Sequence, residues 1–411
     1  MLNDKYIKIT DKKKCSGCTA CVSICPKKCI TMQEDEEGFL YPKVDLSICV
    51  QCSKCIKVCP YTNSEFTFKP ETEELSLCYA AYNRDEDIRY KSASGGMFRA
   101  FADKTIAEGG VVFGAAFDKD FTVYHTYSET LNGLTALMGS KYLQSRMENT
   151  FSFVKQFLQD GRKVLFTGCG CQIAGLKRYL NIEYDNLFCV DLICHGVDSP
   201  KIWIDYLRSK FQSETIKSVN FRDKITGQDD STITITSSLS EFHDRGKQNI
   251  YFKSWQYGLF TRPACEICPF KNDNRVSDLT IGDCWGYKEI APELFDNKGL
   301  SSLIVHSTKG KILFESIESQ LVYKKTYIND VKKFNPDYIK SICFNHKKRA
   351  SFWIDYKRMS LDKVLIKHLG ESKKQKLVLF LKKIIPSKLL KALMLIYGCR
   401  KISSAKDIIV Q

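Results

Sequence analysis

The sequence predicts an α+β ferredoxin-like module at the N-terminus, an α/β body with a mostly parallel or mixed sheet, and a helical, basic C-terminal tail. Three observations carry this prediction. A cysteine motif occurs twice within the first 62 residues. Residues 163–194 read as strand, glycine turn, helix, strand, the order of a βαβ unit with parallel strands. Residues 363–406 hold twelve Lys or Arg against one acid, Glu371. The expected boundaries are 1–66 for the module, 76–160 and 161–345 for two parts of the body, and 346–411 for the tail.

The repeat comes first in the chain. Cys15-Ser-Gly-Cys18-Thr-Ala-Cys21-Val-Ser-Ile-Cys25-Pro26 recurs as Cys49-Val-Gln-Cys52-Ser-Lys-Cys55-Ile-Lys-Val-Cys59-Pro60. Nineteen cysteines occur in all, nine of them between Cys15 and Cys59. Residues 1–10 carry charges and no apolar core, so no secretory leader is expected and a cytoplasmic location is. A reducing compartment disfavours a disulfide scaffold, so the thiols read as metal ligands or redox groups. Cys-x2-Cys-x2-Cys wraps three corners of a 4Fe–4S cube, and the fourth cysteine reaches across to the other cube. One expected cluster is therefore held by Cys15, Cys18, Cys21 and Cys59, the other by Cys49, Cys52, Cys55 and Cys25. The competing reading is a pair of zinc sites. A third cysteine in each loop argues against it. Cys29 is left over and reads as a small buried side chain.

Between the copies, residues 30–45 look like short strands around an acidic turn, and 62–75 like a polar linker. Ser92 to Ala102 reads as a helix start with Ser92 or Ser94 as cap. Residues 109–118 read as a buried strand, and Met147 to Gln159 as a helix ended by Gly161. Lys163–Gly168 and Asn186–Cys194 flank a helix over Gln172–Leu180. Further strands are expected in 217–239 and 276–282.

Overall composition sets outer limits. With 44% hydrophobic and 27% charged residues, the chain is not wholly disordered. No apolar run approaches the roughly 18 residues of a spanning helix. Net charge is +15, but the tail supplies most of it and the rest is near neutral. A nucleic-acid-binding face is therefore not expected.

A second set of cysteines lies in the body. Cys171 precedes a helix, Cys194 ends a strand beside His195, and Cys265 and Cys268 form a local pair. Thiolates from three distant segments meet only at one edge of a sheet, in such folds the carboxyl edge where ligands bind. Cys171, Cys194, Cys265 and Cys268 are the expected ligands of a third 4Fe–4S cluster. Cys169 or Cys284 could replace one of them, and Cys169 with Cys171 could form a redox thiol pair. Ser94, Gly95 and Gly96 offer backbone donors suited to a pyrophosphate. Gln172, His195, Arg222 and Asp283 are polar residues at strand or turn ends. His195 suits a proton shuttle or a hydrogen bond to cluster sulfur. No Gly-x-Gly-x-x-Gly motif is present, which disfavours a Rossmann NAD site.

Seven runs between about Cys78 and Val331 resemble the beta-subunit family of the deazaflavin coenzyme (F-420) hydrogenases and dehydrogenases. They are Ser92–Phe98, Gly139-Ser-Lys-Tyr-Leu-Gln-Ser145, Gly168–Leu176, Asp191-Leu-Ile-Cys-His-Gly-Val197, Asn220–Lys224, Cys265–Phe270 and Val276–Asp283. The resemblance implies an iron–sulfur flavoprotein that holds FAD, with relatives acting on the deazaflavin coenzyme. It singles out Lys141 as a contact to flavin phosphate or to the reduced flavin, and so as a catalytic candidate beside His195. The implied partners are a ferredoxin or another redox protein and a small organic substrate, with a homo-oligomer as a further expectation.

The tail reads as two amphipathic helices broken at Pro386, suited either to an anionic membrane surface or to packing on the body. The expected function is electron passage between clusters and FAD for two-electron chemistry on an organic substrate. A thiol–disulfide reductase, an electron-relay subunit and a scaffold for polysaccharide machinery are the rival readings.

Overall fold

The computed structural model describes residues 5–62, 77–246 and 248–369. The segment around Pro386 lies outside them, so the membrane-surface expectation falls on residues the structure does not describe.

The N-terminal module is built on a hairpin of β1 (Ile30–Glu34) and β2 (Leu40–Val44), paired antiparallel. One short helix carries the third cysteine of each motif, Ala20–Ser23 in the first and Lys54–Lys57 in the second. The sequence repeat is also a backbone repeat. Gly17 and Gln51 have φ of 72° and 51°, and Thr19 and Ser53 have 62° and 59°. Left-handed residues at matching places curl each loop around its own cavity.

The body is organised by one sheet of eight strands. These are β3 (Leu77–Asn83), β4 (Val111–Phe117), β5 (Val123–Ser128), β6 (Val164–Gly168), β7 (Leu187–Leu192), β11 (Leu279–Asp283), β12 (Ser301–Val305) and β13 (Leu321–Thr326). A separate antiparallel sheet holds β8 (Ile216–Asp223), β9 (Thr232–Ser237) and β10 (Glu241–Arg245). The order in the large sheet is β13-β3-β12-β11-β7-β6-β4-β5. Its centre, β4, β6, β7 and β11, is parallel, and both flanks are antiparallel. The sheet is therefore mixed, and it joins the expected parts 76–160 and 161–345 into a single unit. Val-Leu-Phe of β6 and Leu-Phe-Cys-Val of β7 are buried throughout, as strands covered on both faces must be.

One face packs on helix Met97–Ala107 and on Leu313 and Phe314. The other packs on helices Thr150–Gln159 and Gly170–Leu180, and Ala20 and Val58 of the module join that core. The helix before Gly161 (φ 75°) starts at Thr150 rather than Met147. The expected serine cap at 92 or 94 is not used. Gly96, in the left-handed conformation, precedes the helix. The Ser92 hydroxyl instead caps the preceding helix by donating to the Ile88 carbonyl at 2.7 Å.

A third core joins the small sheet to helices Pro200–Phe211, Ile250–Gln256, His346–Tyr356 and Leu361–Leu369 around Trp203, Phe221, Phe352 and Val364. The described start of the basic tail is thus part of the body's core. Among the described residues no helix is long and apolar enough to cross a membrane.

Candidate functional site

The two motifs of the module line two cavities, and they do so crosswise. One cavity is lined by Cys15, Cys18, Cys21 and Cys59. The other is lined by Cys25, Cys49, Cys52 and Cys55, with Cys29 on its wall. The Cys29 sulfur lies 3.4 Å from that of Cys25. Among the described residues no three His, Cys, Asp or Glu converge closely enough to hold a single metal ion. Burial pushes the Cys18 thiol up to about 12, so a thiolate there needs a cation to hold it.

The cavities differ in their surroundings. The first is pressed against the body. A Cβ on Gly175, in helix Gly170–Leu180, would lie 2.9 Å from the Cys18 sulfur. Only glycine lets this helix approach so closely. A Cβ on Gly17 would lie 2.2 Å from Gln144 Nε2, whereas Gln51, its counterpart in the second copy, is exposed.

Arg262 fastens this contact. It is 1% exposed and donates to the carbonyls of Cys15 at 2.8 Å and Leu40 at 2.9 Å, and to Gln144 Oε1. Its Nη2 lies 3.8 Å from the Cys15 sulfur and its guanidinium 4.4 Å from the Tyr41 ring centre. No described carboxylate pairs with it. A buried cation normally needs an anion, and the one candidate beside it is the Cys15 thiolate. The donor set thus fits an anionic iron–sulfur group. The acidic turn also docks on the body, with Arg349 pairing with Glu37 at 2.7 Å and Lys13 reaching Glu266 at 2.7 Å.

Helix Gly170–Leu180 leads from the first cavity to the second set of thiols. Cys169 follows β6, and Cys194 follows β7 by two residues, at the carboxyl edge of parallel strands. Their sulfurs are 3.7 Å apart. The Cys169 thiol, then Lys271 and His195, hold the Cys194 pKa down to about 7. Burial raises the pKa of Cys171, Cys265 and Cys268, and nearby thiols raise each further, Cys268, Cys194 and Cys265 acting on Cys171, Cys194 and Cys268 on Cys265, and Cys194 on Cys268. Five thiols therefore gather where four were expected, with Cys169 the fifth. Cys284 stands apart, buried among Ala80, Tyr287 and Leu300. Tyr61 lines the first cavity, and its ring meets Phe270 edge-on at 5.6 Å. Burial and the charges of Cys268, Cys171 and Cys265 push its pKa up. Tyr61 thus bridges the first cavity and the body thiols.

Beyond Cys194 the site becomes aromatic. His195 Nδ1 pairs with Asp337 at 3.0 Å, and its ring meets Trp255 edge-on at 4.7 Å. Trp255 lies 4.4 Å from Tyr142. Arg222 pairs with Asp283 at 2.9 Å and sits 5.6 Å from the Trp285 ring. In this contiguous group, His195 Nε2, Trp255 Nε1, and Arg222 Nε and Nη2 are buried without a partner. Buried polar atoms are rarely orphaned, so four in one place fit a polar, planar ligand.

Lys141 is adjacent to Tyr142. Its Nζ donates to the Met138 carbonyl at 2.7 Å and lies 5.7 Å from the Phe117 ring. Burial of the ammonium without a carboxylate lowers its pKa to about 7. Ser94 is tied to Asp283 through Gln228, whose Nε2 donates to both at 3.3 and 3.0 Å. The Gly95 N–H donates to Ser301 Oγ at 2.8 Å, so it is already engaged. A Cβ on Gly95 would meet the Ala81 carbonyl at 2.4 Å, so Gly95 and Gly96 pack along β3. Gln172 caps its own helix, its Oε1 accepting from the Cys169 N–H at 2.8 Å.

Sequence reasoning missed Arg262, Tyr61, Tyr142 and Trp255. Tyr142 lies within the run Gly139–Ser145 but was passed over for its neighbour Lys141, and the other three sit in no motif whose spacing announces chemistry. A buried arginine is visible only once its surroundings are known.

Residues 161–331 match the family described as the C terminus of the coenzyme F420 hydrogenase/dehydrogenase beta subunit. Residues 14–63 match the 4Fe-4S dicluster domain. No curated protein matches the chain. A chain in a solved structure of the F420-reducing nickel–iron hydrogenase complex from Methanosarcina barkeri is similar at 16% identity, with a TM-score of 0.46, over 66% of this chain and 91% of that one.

Proposed function

We propose that the chain, whose residues 161–331 match the C terminus of the coenzyme F420 hydrogenase/dehydrogenase beta subunit and whose residues 14–63 match a 4Fe-4S dicluster domain, is an iron–sulfur flavoprotein that exchanges electrons with an organic two-electron substrate. The deazaflavin coenzyme or a compound of similar chemistry is the substrate class. The observation that carries this reading is the juxtaposition at the carboxyl edge of the sheet, where buried thiols adjoin an aromatic group with four orphaned polar atoms. Clusters move single electrons and a bound FAD supplies the conversion to two-electron chemistry.

Each residue has an assigned part. Cys15, Cys18, Cys21 and Cys59 hold one cluster, and Cys25, Cys49, Cys52 and Cys55 the other. Cys171, Cys194, Cys265 and Cys268 hold the third, with Cys169 as a hydrogen-bonding neighbour to Cys194. Arg222, fixed by Asp283, and Lys141 bind the anionic parts of FAD. Tyr142 and Trp255 supply apolar surface. His195, oriented by Asp337 at Nδ1, presents Nε2 as the atom that takes up or gives a proton. A ferredoxin or another redox protein is the partner.

The test is iron, acid-labile sulfide and flavin per chain on protein purified without oxygen. About twelve irons and one flavin are expected, four irons for each four-cysteine site. Eight irons with flavin would remove the third cluster and favour a thiol pair at Cys169. Eight irons with no flavin after reconstitution would overturn the reading.

Lys141 also sets a pH dependence. Its lowered pKa means that the free protein loses the ammonium as pH rises through about 7. An anion bound beside it restores the charge, so binding takes up a proton and weakens as pH rises above 7. Flavin affinity is expected to fall up to about tenfold per pH unit there. Lys141→Arg should flatten that slope between pH 7 and 9, because guanidinium stays charged. Fluorescence titration of flavin measures both.

A further inference from the structure

The second cavity faces away from the body, and every residue lining it belongs to the N-terminal module. Cys52 on its rim is exposed. Val50 lines the same cavity, and with Leu46 and Ile48 just before it in the chain it is exposed, at 55%, 56% and 50% respectively, an apolar stretch where a solvated loop would carry polar residues. Lys5, Lys27 and Lys54 line the same cavity, and with Lys28 they are exposed. None of the four lies within ion-pair distance of a described carboxylate. The module's acids are placed elsewhere. Asp35 pairs with Lys12, Glu36 with Lys357 and Glu37 with Arg349, all at the turn that docks on the body. Asp45 is the carboxylate on the near side, and it is engaged by Ser47. Three of the module's acids are thus engaged at the junction turn, Asp11 and Glu34 are not among the residues lining the outer cavity, and unpaired lysines surround it.

We propose that this face docks a one-electron carrier protein with an acidic rim around its own redox group. This rests on the redox reading of the two cavities and adds which face is used and which charge recognises it. The apolar stretch ending at Val50 excludes water at the centre, and the lysine ring steers a negatively charged surface onto it. In each encounter one electron leaves the carrier and enters the outer cluster, or the reverse. No bond forms or breaks.

The test uses the full chain with both clusters loaded and a purified acidic two-cluster ferredoxin as probe. Lys27→Glu with Lys54→Glu is compared with a control of equal charge change on the far side, Lys311→Glu with Lys325→Glu. Two readouts are taken, the second-order rate of cluster bleaching by reduced ferredoxin and the affinity for oxidised ferredoxin by calorimetric titration. In 20 mM salt the docking-face variant should lose about tenfold or more in both, and its rate should lose most of its salt dependence. The control should change by less than about twofold. Dithionite should reduce both variants to the same final extent, which shows that the clusters are intact. Equal losses in the two variants, or no loss in the docking-face variant, would overturn the proposal. Both readouts stop at the outer cluster, so a failure to bind flavin or turn over would count against the parent reading and not against this one.

Discussion

Cys171→Ser is expected to remove about four of about twelve irons and leave the clusters of the module intact. Flavin reduction by an external one-electron donor should fall about 100-fold or more, a loss of roughly 2.7 kcal/mol of barrier lowering. The reason is position. Cys171 opens the helix whose Gly175 presses on Cys18, so the thiol set it belongs to is the one nearest the first cavity. Metal analysis and low-temperature electron paramagnetic resonance check the outcome. Unchanged iron with normal flavin reduction would mean that Cys169 serves instead, and the matching loss should then appear in Cys169→Ser. Serine is nearly isosteric with cysteine, so misfolding is a poor explanation for the loss.

Arg262→Gln is expected to act on both the junction and the first cluster. Three hydrogen-bond acceptors and the Cys15 sulfur depend on this one guanidinium. Glutamine satisfies at most two of them. Leaving buried acceptors unpaired costs about 1–3 kcal/mol each, so the module should loosen from the body. Limited proteolysis would read that loosening as faster release of the module. The second effect has a definite sign. A positive charge beside an anionic cluster favours the reduced, more negative state. Removing it should shift the first cluster to a more negative potential and leave the second unchanged. Redox titration followed by paramagnetic resonance separates the two clusters. Arg262→Lys should restore part of the potential but little of the junction, since an ammonium cannot span the same acceptors. A purely structural role would leave the potential alone.

The sequence was most legible where the chemistry is local. Four cysteines in eleven residues, twice, fix a loop around a cavity, and the crossed use of Cys25 and Cys59 follows from their distance along the chain. The central strands β4, β6 and β7 were legible because a strand buried on both faces is a continuous apolar run. The flanking strands β3, β12 and β13 were not individually expected, since their pairing is antiparallel and set by contacts far apart in sequence. The polar site was only half legible. Asp283 and Arg222 could be picked out as polar residues at strand ends, but their pairing with each other could not. Gly95 looked like a ligand contact and is occupied by packing, because a glycine needed for close approach and one needed for a phosphate look alike in sequence. One signal was available and unread. The first motif has Gly17 where the second has Gln51. That difference marks which copy has a neighbour pressed on it, and hence which cavity faces inward.

The strand order β6, β7, β11 acts as a ruler. Cys169 leaves the first of these strands, Cys194 follows the second, and Asp283 ends the third. Adjacent strands are spaced by about 4.8 Å, so thiol edge and arginine-binding carboxylate are held roughly 10 Å apart by backbone hydrogen bonds. No loop has to close to bring them together. Electron arrival at the ligand pocket is then expected to be indifferent to solvent viscosity and to respond to driving force alone. Docking at the outer cluster depends on diffusion, so it becomes the step that the surrounding medium can slow.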